Sequence, residues 1–226
     1  NCGACGYAGC DDYAKAVAHS GAKTNLCIPG GAGTAAAVSA AMGVVAEEVK
    51  PQYAVVHCSG NCNATEDSMD YQGKQTCAAS KMFYNGKGSC QFGCLGFGDC
   101  MNACQYGAIA IVNGIAVVDK SVCVGCGMCS KVCPNHLISV IPATNTIYVG
   151  CSSKDKGAVT RKVCKNGCIG CKKCEKACEQ GAITVTDNVA SIDPEKCINC
   201  GKCVTGCPTG AIVTCESRCE SIPVSA

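Results

Sequence analysis

Tryptophan is absent from these 226 residues, and phenylalanine occurs only three times. Aromatic side chains bring the largest apolar area per residue to a core, so their scarcity excludes a large core of the ordinary kind. No apolar run approaches the ~20 residues that span a bilayer, and the sequence opens on a cysteine motif at Cys2. The expectation from these two features is a chain that carries no membrane anchor. Neither a GxGxxG fingerprint nor a phosphate-binding GxxxxGK[ST] loop is present. No nucleophile–base triad or pair of acid/base carboxylates stands out either, so no catalytic residue and no NAD or flavin site is predicted. The formal net charge is only +2, and aromatic residues are not interleaved with the basic ones, which argues against nucleic acid.

Cysteine is abundant, at 27 residues, and glycine is equally so. A secreted disulfide scaffold and metal ligation are the two standard meanings of such a count. The number is odd, and the cysteines recur at x2 spacing, which sets two thiols close enough to share a metal and badly placed to pair with each other. Zinc uses Cys-x2-Cys pairs too, but as two separated pairs. Here the runs are Cys168-x2-Cys171-x2-Cys174-x3-Cys178 and Cys197-x2-Cys200-x2-Cys203-x3-Cys207-Pro208. That is the bacterial ferredoxin pattern, in which three thiolates hold one [4Fe–4S] cluster and the fourth reaches the other. Clusters and free thiolates imply a reducing compartment.

The same pattern occurs earlier, displaced by a constant 74 positions: Cys77/Cys151, Cys90/Cys164, Cys94/Cys168, Cys104/Cys178, Cys123/Cys197 and Cys133/Cys207. Residues 77–136 thus recur as residues 151–210 without insertion, the signature of an internal repeat. Each copy reads as a cysteine run, a short helix, a Gly-Ala-Ile turn and an alternating strand pair. The hairpin turns fall at Asn113-Gly114 and Asp187-Asn188. Upstream, Cys2, Cys5, Cys10 and Cys27 suffice for one cluster of their own. A helix is expected over residues 11–19, ended by Gly21, and a second over residues 34–42. The Gly30–Gly33 cluster reads as a turn, and Gly3, Gly6 and Gly9 as positions that let backbone approach the sulfurs. Residues 53–57 read as a short buried strand. The fold class is α+β: a small helical N-terminal [4Fe–4S] domain (1–50), a wrapping linker (51–89), two ferredoxin-like 2[4Fe–4S] units (90–143 and 144–214) and a tail (215–226).

The swapped-fourth-ligand pattern assigns Cys168, Cys171 and Cys174 with Cys207, and Cys197, Cys200 and Cys203 with Cys178. In the earlier copy Cys123, Cys126 and Cys129 take Cys104. The remaining site departs from the pattern, because Phe97 stands at the place of Cys171, leaving Cys94, Cys100 and Cys133 one ligand short. Cys90, four residues upstream, is the expected substitute. A three-iron cluster or a lost site are the alternatives. Five clusters are expected, and a sixth on Cys58, Cys62 and Cys77 would compete with a reading of these as buried inert thiols. Cys151 and Cys164 read as relics of duplication, while Cys215 and Cys219 carry no clear signal. His19, His57 and His136 are read as structural or solvent-facing.

Charge is uneven along the chain. Residues 1–70 hold three basic and seven acidic side chains, whereas residues 151–178 hold eight basic against two acidic. A basic face over a cluster steers an acidic redox partner.

The stretch NCGACGYAGCDDYAKAVA with Cys27, the GCLGFGDC run, CVGCGMCSKVCP, GCIGCKKC and CINCGKC together resemble the B-subunit of the Rnf electron-transport complexes of the anaerobic clostridial type, over essentially the whole chain. The first of these motifs is also similar to a domain of corrinoid iron–sulfur proteins and carbon monoxide dehydrogenases. The Rnf resemblance implies an electron-transfer subunit of a membrane-bound, ion-translocating ferredoxin:NAD⁺ oxidoreductase. Its implied partners are reduced ferredoxin and the other subunits, its implied location the cytoplasmic face of the bacterial inner membrane. A soluble polyferredoxin-type carrier, or the electron-delivery subunit of a soluble oxidoreductase, is the competing expectation.

Overall fold

In the N-terminal region, α1 (Cys10–Ser20) carries Asp11 and Asp12 in its first turn, where unpaired N–H groups favour negative charge. Gly21 closes it in the left-handed conformation at φ 64°. The Ala-rich α2 (Gly31–Met42) begins three residues before the expected Thr34, taking Gly31 and Gly33 into its first turn. Tyr13 and Val17 of α1 and Ala35 and Ser39 of α2 are buried, and the Thr24 and Ser39 hydroxyls meet at 2.6 Å. The computed structural model describes residues 1–219.

The rest of the described chain runs β1 (Gln52–Val56), α3 (Cys77–Lys81), α4 (Asp99–Asn102), β2 (Ile109–Val112), β3 (Ile115–Val118), α5 (Met128–Val132), β4 (Ile138–Pro142), β5 (Ile147–Val149), α6 (Gly157–Val163), α7 (Lys173–Ala177), β6 (Ile183–Thr186), β7 (Val189–Ile192), α8 (Lys202–Thr205), β8 (Ile212–Thr214) and α9 (Cys215–Cys219). Among the described residues the strands form four antiparallel pairs, β1–β4, β2–β3, β5–β8 and β6–β7. The two inner pairs are tight hairpins. Asn113 and Gly114 have φ of 49° and 81°, and Asp187 and Asn188 have 48° and 63°, the signs a type I′ turn requires. The two outer pairs close over the cysteine runs.

These pairings redraw two expectations. Residues 51–89 are not only a linker, since they supply β1, the partner of β4. The expected tail is also structured at its start: Cys215 is buried with Tyr53, Val55 and Tyr148. Residues 220–226 and the Cys219 side chain lie outside the described residues.

Strand register also corrects where the repeat begins. Val56 pairs with Ile138, and Val149 pairs with Ile212, and Ile138 and Ile212 are 74 apart. Cys58 and Cys151 therefore each stand two residues beyond matching strand ends. The positional counterpart of Cys151 is Cys58, 93 residues upstream, and not Cys77. Cys90 follows Cys58 by 32 positions while Cys164 follows Cys151 by 13, so the earlier connection is longer by 19 residues. From Cys90 and Cys164 onward the offset of 74 holds in the chain path. Gly93 donates its N–H to the Cys90 carbonyl at 3.1 Å, and Gly167 to that of Cys164 at 3.4 Å.

Two buried clusters fill the two halves, one around Val56, Ile115 and Leu137 and the other around Val149, Ile183 and Ile212. Cysteines are members of both, Cys100 and Cys129 in the first and Cys174 and Cys203 in the second. His57 ties the halves together: its Nδ1–H donates to the Val149 carbonyl at 2.7 Å, and Nε2 lies 2.6 Å from the Ser139 hydroxyl. Tyr53 adds its hydroxyl to the Asn145 carbonyl at 2.7 Å.

Candidate metal centres

Each short helix that carries a cysteine run starts from a residue in the left-handed region: Gly98 before α4, Gly127 before α5, Lys172 before α7 and Gly201 before α8. That turn reverses the chain between one thiol and the next, so thiols three residues apart face a common space.

In the later half, Cys168, Cys171, Cys174 and Cys207 line one small space, closed by Val185, Ile212 and other apolar side chains. Burial pushes the Cys207 thiol up, but the N–H groups of Thr209, Ile212 and Ala211 and the Thr209 hydroxyl outweigh it, and its pKa lies below the ordinary value. Hydrogen bonds to sulfur favour the thiolate, the form that binds iron. Cys203 lies in electrostatic range of Cys197, Cys200 and Cys178. Cys129 lies likewise near Cys123, Cys126 and Cys104.

The site beside Phe97 differs from expectation. Its walls carry Cys94, Cys100 and Cys133 together with Cys77, and Cys90 is not among them. Two features explain the exchange. Both carboxylate oxygens of Asp99 accept from the first turn of α3, at 2.9 Å from Cys77 N and 3.0 Å from Ala78 N, and the Thr76 hydroxyl accepts from Ala79 N. The start of α3 is thereby held against α4. Phe97, at the place of the missing cysteine, packs instead on Tyr71, with ring centroids 5.7 Å apart, and Tyr71 contacts Phe83 in turn. The extra residues of the longer connection are anchored on Phe97 and deliver Cys77. The signal available in the sequence was this extra length, opposite the one lost ligand.

Cys90 lies on the wall of a second cavity, of about 290 Å³, shared with Cys58, Cys62, Cys94, Cys151 and Cys164. Cys58 and Cys62 are thus together, while Cys77 is separated from them.

In the N-terminal region, the Tyr13 hydroxyl is in electrostatic range of Cys27 and Cys5, and the Tyr106 hydroxyl is in range of Cys126, Cys2, Cys27 and Cys104. Tyr106 is therefore near both the N-terminal thiols and those of the first ferredoxin-like half. A Cβ on Gly30 would come within 2.9 Å of the Cys27 sulfur, so the close approach of backbone to sulfur falls at Gly30.

Burial raises Cys58 and Cys100 to about 12 and Cys129, Cys151 and Cys174 to about 11. Desolvation is the first cause in each case. Burial keeps these five thiols neutral without metal, and a bound iron core would supply the positive charge that stabilises them as thiolates. Among the described residues no three His, Cys, Asp or Glu side chains converge on one ion-sized point. The thiols line the walls of spaces instead. Thiols around a largely apolar space, with N–H donors on the Cys207 sulfur, fit a polynuclear iron–sulfur cluster.

Comparison with known families agrees with this donor set. The 4Fe-4S dicluster domain model matches residues 167–211, the 4Fe-4S binding domain model residues 116–139, and an Fe-S cluster model residues 1–29. The chain is an electron-transport protein built from ferredoxin-type [4Fe–4S] domains. It is 39% identical over 197 residues to the B-subunit of the Na⁺-translocating ferredoxin:NAD⁺ oxidoreductase complex of Acetobacterium woodii, covering 87% of this chain and 59% of that relative. It is 40% identical over 194 residues to the B-subunit of the proton-translocating complex of Clostridium ljungdahlii, covering 85% of this chain and 68% of that one. With the B-subunit of the ion-translocating oxidoreductase complex of Methanosarcina acetivorans it shares 42% identity over 197 residues, or 87% and 75% of the two chains. The chain belongs to the B-subunit family of the Rnf-type ion-translocating oxidoreductase complexes. Among the described residues, no helix is long and apolar enough to cross a membrane.

Proposed function

We propose that this chain takes electrons from a reduced ferredoxin and hands them to partner subunits of a membrane-bound, ion-translocating ferredoxin:NAD⁺ oxidoreductase, working at the cytoplasmic face. The chain's own part is to hold and insulate the sites. The ligand sets we propose are Cys2, Cys5, Cys10 and Cys27; Cys104, Cys123, Cys126 and Cys129; Cys77, Cys94, Cys100 and Cys133; Cys168, Cys171, Cys174 and Cys207; and Cys178, Cys197, Cys200 and Cys203. The last four follow the two tandem ferredoxin-like units of a duplicated chain. When bound, [4Fe–4S] clusters supply one-electron carriers whose potentials depend on burial and on N–H···S contacts.

The observation that carries the ferredoxin reading is the surface at Cys171. This thiol is exposed, and so are its neighbours Lys172 and Lys173 and, in the same basic stretch, Lys154, Lys156, Arg161, Lys162, Lys165 and Lys176. An acidic carrier is drawn to such a face and meets a redox site at the surface. Oxidation of reduced ferredoxin is the test, followed optically with the assembled complex. The variant with Lys162, Lys165, Lys172 and Lys173 all changed to Ala is expected to slow the reaction by on the order of tenfold at low ionic strength, with the difference closing at high salt. Equal rates at every ionic strength would remove the docking face.

A further inference from the structure

Of the ligands of the five sites above, the cavity between the two ferredoxin-like halves has only Cys94 on its wall, yet other thiols converge on it from both halves. Cys58 and Cys151 stand two residues past the matching strands β1 and β5, and Cys90 and Cys164 stand on matching turns. All four line the cavity. Two of its sulfurs are bracketed by one backbone position: a Cβ on Gly60 would lie 3.5 Å from the Cys164 sulfur and 3.6 Å from that of Cys58.

Backbone donors are distributed in the same paired way. The Cys58 sulfur accepts from Cys94 N at 3.3 Å and from Gly60, and the Cys151 sulfur from Ser153 N at 3.5 Å and from Cys168. The N–H groups of Phe92 and Gly93 act to lower the pKa of Cys90, and those of Asn166 and Gly167 that of Cys164. N–H groups directed at sulfur favour the thiolate, the form that binds iron, although burial is the larger influence on all four thiols. Direct bonds bind the loops around the space: Thr65 Oγ1 to the Val163 carbonyl at 2.7 Å, Lys165 N to that of Ala64 at 2.8 Å and Asn166 Nδ2 to that of Ser59 at 2.9 Å. At about 290 Å³ the space far exceeds the ~10–15 Å³ that one water needs.

We infer that Cys58, Cys90, Cys151 and Cys164 hold a sixth [4Fe–4S] cluster at the junction of the two halves. This rests on the iron–sulfur reading of the other sites and extends it. Cys62 lines the same cavity but is exposed and has no counterpart in the later half, so it is not in the set. The junction site stands beside both neighbours: Cys94 N–H bonds the Cys58 sulfur, and Cys151 lies in electrostatic range of Cys168. Its position makes the row of sites continuous from one half to the other.

The test is iron and acid-labile sulfide per chain on anaerobically purified protein, with EPR of the reduced form. Wild type is expected to hold about 24 of each, six sites of four irons, and Cys164→Ser and Cys151→Ser each about four fewer, with one EPR component missing. Wild type with about 20 would overturn the sixth site while leaving the other five in place, whatever the variants do. Iron lost on Cys62→Ser but retained on Cys164→Ser would overturn this ligand set. No sulfide at all would strike the iron–sulfur reading beneath it as well.

Discussion

Beside Phe97, which stands at the place of a cysteine in the later copy, residues distant in sequence bring the Cys77 thiol to the same wall as Cys94, Cys100 and Cys133. A phenyl ring cannot bind iron, but it offers Tyr71 a surface, and Asp99, two residues later, offers a carboxylate to the first turn of α3. Cys77 arrives as a consequence. If Cys77 and Cys90 serve different sites, the losses must add. Cys77→Ser and Cys90→Ser are each expected to lower the iron content by about four per chain, and the double variant by about eight. A double variant that loses only four would put both thiols in one site and restore Cys90 to the place beside Phe97.

Among the elements, the β2–β3 hairpin does more than close a turn. Gly96 sits at φ 76°, and a Cβ there would come within 2.6 Å of the Gly114 carbonyl oxygen, a backbone atom that cannot swing aside. The loop that carries Cys94 is therefore pressed on the hairpin end. Gly96→Ala is expected to cost roughly 1–3 kcal/mol from the left-handed backbone alone, with the clash added. Thermal unfolding would check it, and an unchanged midpoint would mean that hairpin and loop are not in this contact. The outer strands act at longer range. β1 is buried along Tyr53–Val56 because it faces the first core with Ala54 and Val56 and the junction between halves with Tyr53 and Val55.

For the molecule as a whole, the cores are small and the thiols are part of them. A chain with three phenylalanines and no tryptophan buries Cys100, Cys129, Cys174 and Cys203 where another protein would bury leucine. Desolvation of those thiols disfavours the thiolate unless metal is present, so metal binding and folding are coupled. Stripping iron with a chelator under reducing, anaerobic conditions is expected to abolish cooperative thermal unfolding, read by circular dichroism. A stripped protein with the original sharp transition would show that the polypeptide folds without its clusters.

Much of this was legible beforehand because ligand triplets are local. Three thiols at x2 spacing need only one reversed turn to face a common space, and the runs that carry them stand in the sequence. The hairpin turns at Asn113-Gly114 and Asp187-Asn188 and the helix stop at Gly21 were readable for the same reason, since a few adjacent residues set their backbone angles. The fourth partner beside Phe97 and the junction cavity were not. Cys77 meets Cys94 through a surplus of chain anchored on an aromatic ring and a carboxylate. Cys58 meets Cys151 only because β1 pairs with β4 and β5 with β8. Sequence by itself determined the metal chemistry and the local loops, because these depend on spacing along the chain. Tertiary structure alone decided which distant thiols line a common space, because long-range strand register, and not the constant repeat offset, brings those side chains together.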